Sequence, residues 1–150
     1  MGIDAIKNHM RVSDRIASSG QPEGSQFKAI AEAGFQVVIN LAMPDSDNAI
    51  PEEHNIVAAH KMSYVHIPVP FDSPSIVHLR KFIRVMAAYA DRKVWVHCAL
   101  NYRVSAFLYQ YQRLVHGDSP EQAAAVMLPS WQPDDVWRRF MSISGAELGL

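Results

Sequence analysis

Cys98 is the only cysteine in the sequence, and it stands between a short apolar run, Val94-Trp95-Val96, and a helical pattern that begins a few residues later. His97 precedes it, four residues separate it from Arg103, and Ser105 follows. These residue types at this spacing suit nucleophilic attack on an anionic group. A thiol attacks as the thiolate, and a helix N-terminus beside a cation favours that form, because its backbone N–H groups point outward and carry partial positive charge. Arg103 offers a planar fork that meets two oxygens of one phosphate. A buried free cysteine by itself is usually a small hydrophobe; the company of His97, Arg103 and Ser105 points to chemistry. The remaining histidines, His9, His54, His60, His66, His78 and His116, show no tight ligand spacing, so neither a metal site nor a cofactor is expected.

Composition limits the partners of such a site. With 150 residues, 49% of them apolar, the chain fits one domain spanning 1–150 that buries roughly two-thirds of its unfolded surface. Residues 1–13 read as an irregular lead-in. Fourteen basic residues against 15 acidic ones, with no basic stripe or tail, argue against nucleic acid as the main partner. A lone cysteine forms no internal disulfide, and the first residues lack a basic region followed by an apolar run, so a cytoplasmic location is expected. No apolar run approaches the ~20 residues that cross a bilayer, and position 6 is Ile rather than the Ser or Thr of a myristoylation signal, so no membrane partner is expected.

The elements that must position Cys98 follow from periodicity and turn chemistry. Arg15 to Ser19 reads as a short edge strand stopped by Gly20. Ser25 is a candidate N-cap for a helix carrying Phe27, Ile30 and Ala31 and closed by Gly34. Phe35 to Leu41 contains Val37-Val38-Ile39, a continuous apolar run suited to a parallel strand covered on both faces. Pro51-Glu52-Glu53 opens a helix, with acids in the first turn, ending near His60. Tyr64 to Val69 is a second strand, limited by Pro68 and Pro70. Ser73-Pro74 starts the longest helix, with a stripe of Ile76, Leu79, Ile83, Met86, Ala87 and Ala90. Lys93 to Cys98 is the third strand, and Val104 to His116 the helix after it. Ser119 and Gln122 form a capping box, and Pro133-Asp134-Asp135 opens a helix that buries Val136, Trp137 and Phe140. Trp131 and Trp137 read as core. Strands alternating with helices give an α/β fold: a single domain with a largely parallel central sheet flanked by helices, in which ligands sit outside the C-terminal strand ends. His97-Cys98, Asp72 and the loop from Ala42 all fall at such ends.

The strand, His97-Cys98, Arg103 and Ser105 before an apolar helix resemble the signature of the cysteine-dependent protein tyrosine and dual-specificity phosphatases. Gly20-Gln21-Pro22, Ala33-Gly34-Phe35 leading into Val38-Ile39-Asn40-Leu41, and His66-Ile67-Pro68-Val69 are similar to a bacterial branch of small phosphatase-like proteins. The likeness runs from about Arg15 to Val115. It implies a dual-specificity-phosphatase-like fold and hydrolysis of a phosphorylated protein or small phosphate ester through a cysteinyl-phosphate on Cys98. It also implies that Arg103 binds the phosphoryl group, that Ser105 assists the departing thiolate, that His97 orients the loop, and that an aspartate on a loop after an earlier strand is the general acid. Asp72 lies in such a loop, with Asp45 and Asp47 in reserve; Asp-Ser-Pro is equally good helix-entry chemistry. Ala99, Leu100, Asn101, Tyr102 and Val104 complete the expected phosphate-binding loop, with Leu100 and Tyr102 as apolar groups at its mouth.

The spacing departs from that family. Five residues normally separate the cysteine from the arginine; here there are four, and Val104 stands where the arginine is expected. The usual mid-loop glycine is absent, although Asn101 is the residue that best tolerates positive φ in its place. A nest of backbone N–H groups one residue shorter is tighter and has one donor fewer. A four-residue spacing resembles the active loop of some rhodanese-type sulfurtransferases, in which the cysteine carries one extra sulfur atom. The sequence therefore leaves three readings: a phosphatase, an anion-binding module without turnover, and a sulfurtransferase.

Overall fold

In the computed structural model, which describes residues 2–149, the β-branched runs assemble into one five-stranded sheet. Its strands are β1 (Met10–Arg11), β2 (Ile16–Ser19), β3 (Val37–Asn40), β4 (Ser63–His66) and β5 (Val94–His97). Their order is β1-β2-β5-β3-β4, with β1 antiparallel to β2 and every other pair parallel. The helices are α1 (Phe27–Glu32), α2 (Glu53–Ala59), α3 (Ile76–Ala88), α4 (Tyr102–Leu114), α5 (Pro120–Ala124), α6 (Asp135–Phe140) and α7 (Gly145–Leu148). This is the α/β architecture expected from the alternation of strand and helix patterns.

β2, β3 and β5 are buried at every position, as parallel strands covered on both faces must be. Successive side chains point to opposite faces, so the strands divide between two cores. Val37, Ile39, Val94 and Val96 pack with Leu79, Phe82, Phe107 and Trp137. Ala17, Val38 and Trp95 pack on the other side with Phe27, Ile30 and Val57. Trp95 is fully buried; truncating such a ring to alanine costs about 3–5 kcal/mol. Because β5 lies between β2 and β3 and is paired with both, its last residue, His97, and the Cys98 that follows are held from two sides.

Several boundaries differ from those expected, each for a local reason. The lead-in is not wholly irregular: residues 3–5 form a 3-10 turn and Met10–Arg11 pair with β2. Met1 lies outside the described residues. Glu23, not Ser25, caps the entry to α1, sharing a capping box with Gln26 around a 3-10 turn at 24–26. Gly34 does adopt the left-handed conformation, with φ of 94°. The second strand stops its ladder at His66, because Pro68 has no N–H to donate, although Ile67 and Val69 still bond to Asn40 O and Leu41 O. α3 starts at Ile76, where Ser75 accepts from His78 N, rather than at the Ser73-Pro74 pair. Phe82 joins its buried stripe, while Ala87 and Ala90 are exposed. α4 begins at Tyr102, two residues earlier than the apolar pattern suggested. α7, capped by Ser144 with Glu147, has no counterpart in the sequence reading.

Candidate active site

Cys98 follows β5 directly and lies at the base of a cleft of about 220 Å³ lined by Phe71, Cys98, Ala99, Leu100, Tyr102 and Arg103. The cysteine is buried, whereas Leu100 and Phe71 are exposed at the rim. Residues 99–101 make the turn from strand to helix, and Asn101 permits it by adopting φ of 70° at the N-cap of α4. Its side chain is bound on both sides of the turn: Nδ2 donates to Asn8 O at 2.9 Å and Ser18 Oγ at 3.1 Å.

The carbonyls of this loop are fastened away from the cleft. Cys98 O faces His97 Nδ1 at 3.1 Å. Ala99 O accepts from Gln21 N at 3.0 Å and from Asn48 Nδ2 at 3.1 Å, and Leu100 O accepts from Asn8 Nδ2 at 3.0 Å. In a trans peptide the N–H points opposite to the preceding C=O, so the N–H groups of Ala99, Leu100 and Asn101 turn inward. None of these three has an acceptor among the described residues. Gly20 makes the close approach possible: a Cβ there would lie 2.7 Å from Ala99 O.

Arg103 completes the ring of donors. Its side chain is buried, Nη1 donates to Val69 O at 3.0 Å, and the guanidinium carbon lies 5.6 Å from the Phe71 ring centre. Nε is buried with no partner. A buried donor without an acceptor carries a large desolvation cost, which an anion in the cleft would offset. The aromatic wall continues outward, with Tyr102 stacked on Trp131 at 5.4 Å and Phe71 packed against Trp137 at 5.5 Å. Trp137 is core, as expected, but Trp131, stacked on Tyr102, is only half-buried.

The other expected site residues separate into supports and outliers. His97 is fully buried, and its Nε2 lies 2.5 Å from Oε2 of Glu53, a carboxylate that is itself 3% exposed. With a carbonyl at one ring nitrogen and a carboxylate at the other, the ring links the loop to Glu53. Glu53 Oε1 accepts from Gln21 Nε2 at 2.7 Å. Ser105 Oγ donates to Asn101 O at 2.6 Å and accepts from Leu128 N at 2.9 Å; it lies behind the loop. Val104, expected among the loop's binding residues, is fully buried and packs in the core instead, because the α4 register turns it from the cleft. Asp72 is exposed and borders a separate surface groove with Arg139 and Glu147, while its neighbour Phe71 enters the cleft. Asp45 and Asp47 are exposed as well. Among the described residues no carboxylate lines the cleft. Glu53, Gln21, Asn8, Asn48 and Phe71 carry no site role in the sequence reading. Only Gln21 had a signal, its place in Gly20-Gln21-Pro22.

Residues 5–134 match the family described as a DSP-PTPase phosphatase fused to NAD+ kinase. The chain belongs to the DSP-PTPase family. A DUF442 candidate phosphatase of Shewanella putrefaciens CN-32 is 32% identical, with a TM-score of 0.84 over 93% of this chain and 92% of that one. TpbA of P. aeruginosa, solved in complex with pTyr, shares the fold at 17% identity, with a TM-score of 0.73 over 95% of this chain and 89% of that one. Beta-lactamase hydrolase-like proteins of Agrobacterium fabrum and Xylella fastidiosa are 30% and 29% identical, over 59% and 71% of this chain. The chain spans only 21% and 25% of the length of those curated relatives. No helix among the described residues is long and apolar enough to cross a membrane.

Proposed function

We propose that this DSP-PTPase-family chain hydrolyses phosphate monoesters through a cysteinyl-phosphate on Cys98. The observation that carries the reading is that Arg103, whose buried Nε has no partner, lines the same cleft as Cys98, beside the unpartnered N–H groups of residues 99–101. Such an array stabilises charge that builds on the equatorial oxygens during phosphoryl transfer. The Cys98 thiolate attacks phosphorus and the ester P–O bond breaks. Asp72, exposed beside Phe71, is the proton donor assigned to the leaving oxygen. Water then cleaves the S–P bond, releasing inorganic phosphate and the thiolate. Ser105 supports this second step by holding Asn101 O. Phe71 and Tyr102 suit an aryl phosphate, whether a phosphorylated protein or a small ester, and the cytoplasm keeps the thiol reduced. Purified protein should hydrolyse para-nitrophenyl phosphate, with Cys98→Ser abolishing turnover; wild-type rates no better than that variant's would remove the assignment.

A second reading is favoured by the four-residue loop together with a cleft that no carboxylate lines. Transfer of the outer sulfur of thiosulfate to Cys98 expels sulfite, which needs no proton, and cyanide then removes that sulfur as thiocyanate. Thiocyanate formation without phosphate release would select sulfur transfer. Tungstate binding without either product would select an anion-binding module.

A further inference from the structure

We propose that Glu53 is a positioning residue for the Cys98 loop, acting through His97 and Gln21 on two successive backbone carbonyls. This rests on reading the loop as an anion cradle. A buried carboxylate survives desolvation only when its oxygens are paired, and both oxygens of Glu53 are used toward the loop. Oε2 lies 2.5 Å from His97 Nε2, and the far nitrogen of that ring faces Cys98 O at 3.1 Å. Oε1 accepts from Gln21 Nε2 at 2.7 Å, and the backbone N–H of Gln21 donates to Ala99 O at 3.0 Å. One side chain on α2 thus grips consecutive carbonyls at the outer face of the loop. Fixing those carbonyls outward fixes the N–H groups of Ala99 and Leu100 inward, where the anion's oxygens belong. Packing of α2 does not require this carboxylate, since Val57 already buries the helix against the sheet.

The test compares Glu53→Met, Glu53→Gln and Gln21→Leu with the wild type in tungstate affinity and in the rate of Cys98 alkylation by iodoacetamide near neutral pH. Met fills the volume but severs both arms. Gln can keep both, accepting from Gln21 and donating to a His97 ring that still donates to Cys98 O. We expect Glu53→Met to weaken tungstate binding and slow alkylation tenfold or more, Gln21→Leu to do so partially, and Glu53→Gln to stay within threefold of wild type. A residue that merely tied α2 to the sheet would lower Tm without changing either readout in the folded fraction. A folded Glu53→Met variant within twofold of wild type in both readouts overturns the proposal. If that variant does not fold, Gln21→Leu decides in the same way. Neither readout needs turnover, so wild-type protein that binds tungstate but hydrolyses nothing would end the phosphatase reading and leave this one standing.

Discussion

The guanidinium of Arg103 lies over the ring of Phe71, 5.6 Å from its centre, while Nη1 is tied to Val69 O at 3.0 Å. Nε of the same group is buried with no partner. A cation over a partly exposed aromatic face is worth about 0.5–1 kcal/mol. Phe71→Ala should therefore lower kcat/KM for para-nitrophenyl phosphate roughly 2–5-fold, whereas Phe71→Tyr should change it little. Steady-state kinetics on the two variants check this.

Asn101 combines a strained backbone with a useful side chain. Asn101→Gly would relieve a left-handed conformation worth about 1 kcal/mol, but it would remove donors to Asn8 O and Ser18 Oγ in a buried setting, each worth about 1 kcal/mol or more. The expected net result is a loss of about 1–2 kcal/mol, rising to about 3 for Asn101→Ala, which keeps the strain. Urea unfolding of the three proteins measures it.

Asp72 gives a prediction with a built-in control. A proton donor matters most when the leaving group is a poor one. Asp72→Asn should lower kcat for phenyl phosphate much more than for 2,4-dinitrophenyl phosphate, whose oxygen departs unprotonated. Equal effects on both substrates would assign the proton elsewhere.

Gly20 has a backbone neighbour where its side chain would be. In Gly20→Ala the new Cβ would meet Ala99 O at 2.7 Å and Leu100 Cα at 3.2 Å, and neither can rotate aside. The loop must move, and displacements of that order cost roughly tenfold or more in rate. Tungstate affinity and turnover should fall together in this variant.

The strand–loop–helix unit was legible because it is local: β-branched residues, a turn and a helical stripe lie within one stretch of sequence. Cys98 and Arg103 came together for that reason. The direction of a side chain in a longer loop was not legible, so Phe71, which enters the cleft beside Asp72, carried no role in the sequence reading. Glu53 read only as a first-turn acid, because nothing in the residues around it signals a histidine 44 positions away. Val104 was misplaced by counting along the chain; the helix starts earlier than its apolar residues suggested and turns Val104 into the core.

Two histidines set an acid limit on stability. Burial lowers the pKa of His9 and of His78 from 6.5, the latter helped by Lys81. The folded state therefore binds protons less readily than the unfolded chain. Stability is complete above the unfolded value and declines as pH falls through it toward the lowered folded values. His9→Phe would keep a ring on Trp95, against which His9 now stacks at 5.3 Å, and remove one of the titrating groups. Its unfolding free energy should drop less than that of the wild type between about pH 7.5 and about pH 5.5.

The side chain of Asn8 bonds to Leu100 O and its backbone to Asn101, contacts separated by 92 and 93 positions in the chain. Contacts so distant in sequence close late in folding. During synthesis Asn8 leaves the ribosome long before Leu100 and Asn101 exist, so this fastening cannot form until the signature stretch has been made. Reactivity at Cys98 therefore reports completion of the fold rather than its onset, and a fragment beginning at Arg15 would retain the whole signature stretch while lacking one of the fasteners that shape it.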